Sequence, residues 1–162
     1  MEFKTLKAIF KHLFNFLVLS SLSFAATANV VLVDGHVRAM PASVPNTAAY
    51  FTLENHNNSD VKLVEVKTSV AKVAQLHTIL EEDGMVKMRQ VEGFTIPSHG
   101  SLTLQPTGDH VMLLSLTAPL VIDDKVPLEL IFEDGQHLMI ELTVLKQAAA
   151  QHDEHAEHHH HH

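Results

Sequence analysis

Three Asp-Gly dipeptides, at positions 34–35, 83–84 and 134–135, are the feature that most constrains how this chain folds. Asp-Gly favours the backbone of tight hairpin turns and bulges, and each dipeptide here joins two short segments rich in apolar residues. Apolar and polar residues alternate in many of these segments, as is typical of strands with one buried face. Many short strands between turn signals predict an all-β fold, a Greek-key β-sandwich or barrel.

The turn residues divide the chain into eleven predicted strand segments. Those before and after residues 34–35 are joined by a turn or a bulge, and residues 48–55 and 61–66 are close enough to form a hairpin. Pro127 makes its own strand an edge strand or delays its start, because proline has no N–H for a sheet. The predicted segments are residues 30–33, 36–40, 48–55, 61–66, 72–80, 85–91, 93–97, 101–104, 110–116, 126–132 and 137–145.

Residues 1–28 have the pattern of a signal peptide. A lysine-containing start precedes the apolar run 13–24, and residues 26–28 (Ala-Thr-Ala) fit a cleavage site that would leave Asn29 as the first mature residue. The alternative is an uncleaved membrane anchor, for which the run is short. The chain has no cysteine, which excludes a lipid-modified N-terminal cysteine. We therefore expect an exported protein of a bacterial periplasm, with no stable membrane insertion after cleavage.

Residues 29–147 are predicted to be one domain, which must rely on a hydrophobic core because no disulfide can form. Residues 148–162 combine histidines and carboxylates without a large apolar residue, and we expect them to be disordered. They are either a native tail that collects copper(II), zinc or nickel, or an expression tag or its remnant. The formal net charge of −8 argues against binding nucleic acid, whose phosphates would repel the domain.

Four residues of the domain, His77, Met88, His110 and Met112, have the donor atoms of a metal site. Ten residues separate the first pair, twenty-one separate Met88 from His110, and one separates His110 from Met112. Two imidazoles and two thioethers form a soft, mostly neutral set, which suits copper(I) better than zinc, magnesium or calcium. The absence of a thiolate argues against a blue-copper electron carrier.

Strand geometry predicts that these four side chains can converge. His110 and Met112 are two residues apart on one strand, so they share a face and their Cα atoms lie about 7 Å apart. A two-residue turn at positions 83–84 places His77 and Met88 on one face as diagonal neighbours, also roughly 7 Å apart. Lys87 then lies on the other face, as does Arg89. The predicted opposed pairs of this hairpin are Glu82 with Met85, Ile79 with Met88, and His77 with Gln90.

The spacing resembles the H-x10-M-x21-H-x-M signature of the PCu(A)C family of periplasmic copper chaperones. Residues 36–55 (HVRAMPASVPNTAAYFTLEN), 85–116 (MVKMRQVEGFTIPSHGSLTLQPTGDHVMLLSL) and 126–135 (VPLELIFEDG) resemble further stretches of that family. The resemblance implies a cupredoxin-like Greek-key β-barrel with an exposed copper(I) site near one end, held by the four residues. It also implies a protein that is not an enzyme, and that delivers copper for cytochrome c oxidase assembly, often with a Sco-like partner.

The chain departs from the family at one point. Family members often have a further methionine just after the first histidine, where this chain has Thr78 and Ile79. Met85 or Met40 could supply that sulfur, or both could be packing residues.

Two other functions fit the sequence. A general periplasmic metal buffer would bind mainly through the tail, and a β-sandwich interaction module would bind no metal. No nucleophile–base arrangement or phosphate loop favours an enzyme. The remaining histidines of the domain have no evident partner at ligand spacing: His36, His56, His99 and His137.

Overall fold

The computed structural model describes residues 29–82 and 84–146, and every helix or strand assigned within them is a β-strand. The predicted signal peptide and the predicted tail from residue 148 lie outside these ranges. No helix in the described part has the length and apolar character needed to cross a membrane. The strands are β1 (Val30–Arg38), β2 (Thr47–Asn55), β3 (Val61–Lys67), β4 (Ala71–Glu82), β5 (Met85–Gln90), β6 (Phe94–Ile96), β7 (Ser101–Thr103), β8 (His110–Leu116), β9 (Lys125–Phe132) and β10 (His137–Leu145).

The strands form one continuous hydrogen-bonded path that folds back on itself. Its order is β5-β4-β8-β2-β1-β10-β9-β3-β6, and β7 also pairs with β2. All neighbours are antiparallel except β1 and β10. Strand β3 also contacts β4, and β6 contacts β2 and β7, so the two halves of the path face each other. The all-β Greek-key prediction is confirmed.

The core lies between these two halves and follows from the alternation of side chains along the strands. Strand β9 buries every second residue, from Val126 to Phe132. On β8, Val111 and Leu113 are fully buried, so their neighbours His110 and Met112 must point to the other face of the strand. The core therefore fixes the direction in which the predicted ligands of β8 point.

The Asp34-Gly35 dipeptide produces a bulge rather than a turn. Strand β1 runs through it without a break, but its register against β2 shifts between Leu32 and Asp34. A Cβ atom on Gly35 would lie 2.5 Å from the Cβ of Phe51 and 2.9 Å from a methyl carbon of Leu142. Glycine is required here because β1 packs tightly against side chains of its two neighbouring strands.

The hairpin expected between residues 48–55 and 61–66 is wrong. Strand β2 pairs with β1, β7 and β8, whereas β3 pairs with β6 and β9 in the other half of the fold. The buried Asn55 side chain donates hydrogen bonds to the carbonyl oxygens of Ser59, at 2.9 Å, and Ile96, at 3.1 Å. These bonds support a connection that crosses between the two halves, as a Greek key requires.

Pro127 does not delay its strand, because β9 begins at Lys125. Nor is β9 an edge strand, since it lies between β10 and β3. Its pairing with β3 extends only to the Lys67–Glu129 pair, so Pro127 itself is paired with β10 alone. The missing N–H of the proline is tolerated because β3 does not pair with β9 at this position.

The hairpins predicted at the other two Asp-Gly dipeptides are confirmed. Strands β9 and β10 pair antiparallel, with Gly135 at a φ of 81°. Strands β4 and β5 pair in the predicted register, with Gly84 at a φ of 72°. Pairing of β4 with β8 ends at His77, so residues 78–82 pair with β5 alone. The β4–β5 hairpin therefore extends past the end of β8.

Candidate metal centre

Strand pairing brings the two predicted histidine ligands directly opposite each other. His77 on β4 is the register partner of His110, the first residue of β8. Their ring centroids are 5.8 Å apart, and the rings meet edge to face at 67°. Directly opposed residues of an antiparallel pair share a face of the sheet. The chain thus places its two predicted imidazole ligands side by side.

The two predicted methionine ligands lie on the same face, one on each side of this pair. Met112 follows His110 by two residues and is opposed by Gln75 on β4 and by the small Ala48 on β2. Met88 on β5 is opposed by Ile79, two residues beyond His77, as the sequence predicted. Met112 is half-buried and Met88 is 51% exposed. The four side chains therefore span three adjacent strands, from a buried histidine to an exposed thioether.

The cationic residues of the hairpin lie on its opposite face. Lys87 and Arg89 each donate a hydrogen bond of 3.0 Å to Glu82, and these two bonds hold the pKa of the Glu82 carboxyl below its ordinary value. Alternation along β5 directs these side chains away from Met88. A positive ion beside Met88 therefore avoids repulsion from these two cations.

His110 is held in one orientation by neighbours that the sequence did not identify. It is only 2% exposed, and its Nδ1 donates a 2.9 Å hydrogen bond to the carbonyl oxygen of Gly108. The buried ring of Tyr50 lies 6.3 Å from it, centroid to centroid. A carbonyl oxygen only accepts, so Nδ1 carries the proton and Nε2 keeps its lone pair for a metal.

His77 is oriented by a side chain of its own strand. Its Nε2 lies 3.0 Å from Oε1 of Gln75, an acceptor, so Nε2 carries the proton and Nδ1 keeps the lone pair. That Nδ1 is buried and has no hydrogen-bond partner within the described part of the protein. Burial lowers the pKa of His77 below its ordinary value of 6.5, and the nearby His110 lowers it further. The lowered pKa favours the neutral ring that metal binding requires.

The donor set fits copper(I). A buried acceptor without a partner is costly, and a bound cation would supply that partner to Nδ1 of His77. In residues 29–82 and 84–146, no group of three or more His, Cys, Asp and Glu side chains could hold a metal. A site here therefore depends on the thioethers of Met88 and Met112, which favour copper(I) over hard or borderline cations.

Neither methionine considered as a substitute for the family's additional sulfur is placed with the four residues by the strand register. Met85 is opposed by Glu82, on the other face of the hairpin, and is 57% exposed. Met40 follows the end of β1 by two residues and is half-buried. Ile79 occupies the site face beside His77 without offering a donor atom. The strand register therefore adds no fifth sulfur to the candidate site.

Sequence reasoning missed the residues that orient the ligands. Gln75 precedes His77 by two residues and Gly108 precedes His110 by two, so the i and i+2 spacing was a usable signal for both contacts. Tyr50 gave no such signal, because it reaches His110 from a strand sixty residues away in sequence. It is the only tyrosine of the chain, and its ring also lies 5.4 Å from that of His36.

Comparison with known sequences identifies a family. The sequence profile of the LpqE-like lipoproteins matches residues 30–144. Lxx21020 of Leifsonia xyli subsp. xyli, named as a lipoprotein, is 36% identical over 90 residues, which are 55% of this chain and 54% of that protein. RP573 of Rickettsia prowazekii is 26% identical over 102 residues, which are 62% of this chain and 56% of that protein. The match spans about half the length of these curated relatives.

Comparison with solved structures identifies the same fold in copper proteins. The apo form of DR1885 from Deinococcus radiodurans is 40% identical, with 76% of this chain and 83% of that chain covered and a TM-score of 0.60. The copper(I) form of DR1885 is 39% identical, with 77% and 83% covered and a TM-score of 0.61. The copper-bound PCuAC domain of PmoF2, at 18% identity, 75% and 97% coverage and a TM-score of 0.63, shares the fold. The cupredoxin-like Greek-key prediction is confirmed.

Proposed function

The chain belongs to the LpqE-like family and has the PCuAC fold, and we propose that it is a copper(I)-binding chaperone whose cargo is held by His77, Met88, His110 and Met112. The observation that carries the proposal is the convergence of these donors on one face of β5, β4 and β8, where Nδ1 of His77 is buried without a partner. DR1885, a relative at 39% identity, was solved with copper(I).

The exposure of the donors supports a carrier rather than a permanent copper site. His110 is buried and held by Gly108, so it forms the fixed inner end of the site. Met88 is half-exposed at the outer end, on a hairpin that extends past β8. An incoming ligand from another protein can replace an exposed thioether before it displaces the buried imidazole. The site can therefore pass its ion on through a shared-ligand intermediate.

The cellular role follows from the same chemistry. Thioethers do not form disulfides, so a site of methionine and histidine can hold reduced copper in an oxidising compartment such as the periplasm. We propose delivery of the ion to cytochrome c oxidase or to a Sco-like protein, and a role without enzymatic activity. The family's lipoprotein name supports an envelope location, although this chain has no cysteine to carry a lipid.

X-ray absorption of the copper(I)-loaded full-length chain tests the proposal. All sulfur in this chain is methionine sulfur, and residues 148–162 contain none, so sulfur scattering reports on ligands outside the tail. We expect two sulfur and two nitrogen neighbours around copper at one equivalent. Replacing both Met88 and Met112 with leucine should remove the coordination by two sulfurs. Leucine at Met85, exposed on the other face of the same hairpin, is the matched control and should preserve it.

The same experiment separates this function from a metal buffer that acts through the tail. A buffer predicts copper surrounded by nitrogen alone, and it predicts that truncation at residue 147 removes most copper(I) binding. The chaperone predicts that truncation leaves the sulfur signal and the first equivalent unchanged. Nitrogen-only coordination in the full-length chain would overturn the chaperone proposal.

A further inference from the structure

A second His-x-Met pair occurs on β10, outside the candidate metal centre. His137 is the first residue of β10 and Met139 follows two residues later, just as His110 begins β8 and Met112 follows it. Leu138 and Ile140 turn toward the core, whereas His137 and Met139 are both exposed. The two donors therefore share the outer face of β10 at the same strand spacing as the pair on β8.

The imidazole of His137 is oriented as a metal-binding imidazole should be. Its Nδ1 lies 2.8 Å from Oε1 of Glu129 on the neighbouring strand β9. The carboxylate holds the proton on Nδ1, which leaves the lone pair on Nε2. A carboxylate that orients an imidazole in this way is a common second partner of metal-binding histidines. The carbonyl oxygen of Gly108 serves His110 in the same way, at 2.9 Å.

Sheet register brings the thioether to the same carboxylate. Met139 is the direct partner of Glu129 across the β9–β10 pair, so its side chain lies on the face that carries the His137–Glu129 contact. Met139 is 66% exposed, the highest value of any methionine in the described chain. With Glu129 and Pro127 it lines an open groove of about 330 Å³. A small ion can therefore reach its sulfur.

Both carboxylates and lysines lie on the surface around this pair. Glu141 follows Met139 by two residues on the same face, and Glu65 lies on that face of β3. Lys67 opposes Glu129 from β3, but its ammonium lies 3.5 Å from a carboxylate oxygen of Glu65. Lys125 lies on the same face of β9 and donates a 2.6 Å hydrogen bond to the Thr143 hydroxyl, so in the described chain neither lysine pairs with Glu129 or Glu141.

We propose that Nε2 of His137 and Sδ of Met139 form a second copper(I) site, open to solvent and independent of the four-residue centre. One imidazole and one thioether match the soft-donor preference of copper(I), and Glu129 fixes the imidazole. Two strands, β2 and β1, separate β8 from β10 in the sheet, so the two pairs cannot share an ion. Two donors bind more weakly than four, so this site fills after the first.

Methionine methyl signals test the second site in the full-length chain. The protein is labelled with ¹³C at the methionine methyl groups and titrated anaerobically with copper(I) until no signal changes further. We expect the Met139 signal to shift only after the signals of Met88 and Met112 have finished shifting. Replacing His137 with glutamine should weaken copper binding at Met139 at least tenfold without affecting the other two signals.

A second exposed histidine provides the control for the Met139 experiment. His99, another exposed histidine whose Nε2 contacts Oδ1 of Asn58, is replaced with glutamine as the matched control and should leave the Met139 shift intact. A Met139 signal that never moves, or one that moves equally in the His137→Gln variant, overturns the second site. Failure of Met88 and Met112 to shift would overturn the chaperone proposal instead, so the two failures are distinguishable.

Discussion

At the residue scale, Gln75 decides which nitrogen of His77 is available to copper. Its Oε1 accepts a hydrogen bond from the N–H at Nε2, so the buried Nδ1 keeps a lone pair that can bind the metal. Replacing Gln75 with leucine removes the acceptor and releases the ring from this tautomer. We expect copper(I) affinity to fall about tenfold, the lower end of the effect seen when orienting partners of metal ligands are lost. Competition with a chromophoric copper(I) chelator measures the change.

The control for this prediction is Gln90→Leu. Gln90 opposes His77 from β5, as the register requires, but it is exposed and the described structure records no hydrogen bond from it to His77. This variant should bind copper(I) like the unmodified protein. Gln75→Glu should also retain binding, because a carboxylate oxygen accepts a hydrogen bond from the N–H at Nε2 of His77. The ¹⁵N shifts of His77 report the tautomer directly. Equal losses in the two leucine variants would show that Gln75 acts only through packing.

At the scale of single elements, the β4–β5 hairpin holds Met88 beside His77. Gly84 has a φ of 72°, and a Cβ added there would meet nothing within 4 Å, so alanine at this position introduces backbone strain but no clash. We expect Gly84→Ala to destabilise the protein by about 1 kcal/mol in urea unfolding. Because the strain falls on the turn that sets the register of Met88, copper(I) affinity should also fall.

Gly135→Ala is the matched control for the hairpin. Gly135 has a φ of 81° and an equally open surrounding, but its turn joins β9 to β10. The variant should lose about the same stability and keep the copper(I) affinity of the four-residue centre. A Gly84→Ala protein that binds copper(I) as tightly as the Gly135→Ala protein would show that the turn does not control the site.

The connections between strands show which parts of the fold could be predicted from the sequence. Hairpins at residues 83–84 and 134–135 depend on local turn chemistry, and the opposed pairs from Glu82–Met85 to His77–Gln90 follow by counting. The connection after β2 does not depend on its own residues alone. Asn55 binds the carbonyl of Ile96, 41 residues away, and directs the chain to the other half of the fold. Short spacing between two strands therefore wrongly suggested a hairpin.

At the scale of the whole molecule, the sequence predicted some features of the candidate site and not others. The shared faces of His110 with Met112, and of His77 with Met88, follow from strand alternation and one turn. The opposition of His77 and His110 depends on β4 pairing with β8, which no local pattern in either strand specifies. Tyr50 comes to His110 through the pairing of β2 with β8. Long-range strand order thus completed a site whose parts were individually predictable.

The pKa of His77 links this assembled site to the stability of the whole metal-free protein. Burial, and then the proximity of His110, lower that pKa below the ordinary value of 6.5, which His77 regains in the unfolded chain. Below pH 6.5 the unfolded chain binds a proton at His77 that the folded protein does not yet bind, so lowering the pH favours unfolding. The neutral His77 therefore contributes fully to the free energy of unfolding above pH 6.5. This contribution is lost as the pH falls toward the lowered pKa.

Urea unfolding of the metal-free protein between about pH 7.5 and pH 5 tests this linkage. The free energy of unfolding should fall less steeply with acid in a His77→Gln variant than in the unmodified protein. Gln90→Leu, which changes a non-titrating neighbour of His77, should leave the steepness unchanged. Identical pH dependence with and without His77 would contradict the lowered pKa. The lowered pKa also means that protons compete less with copper(I) for His77 than they would for an imidazole of ordinary pKa.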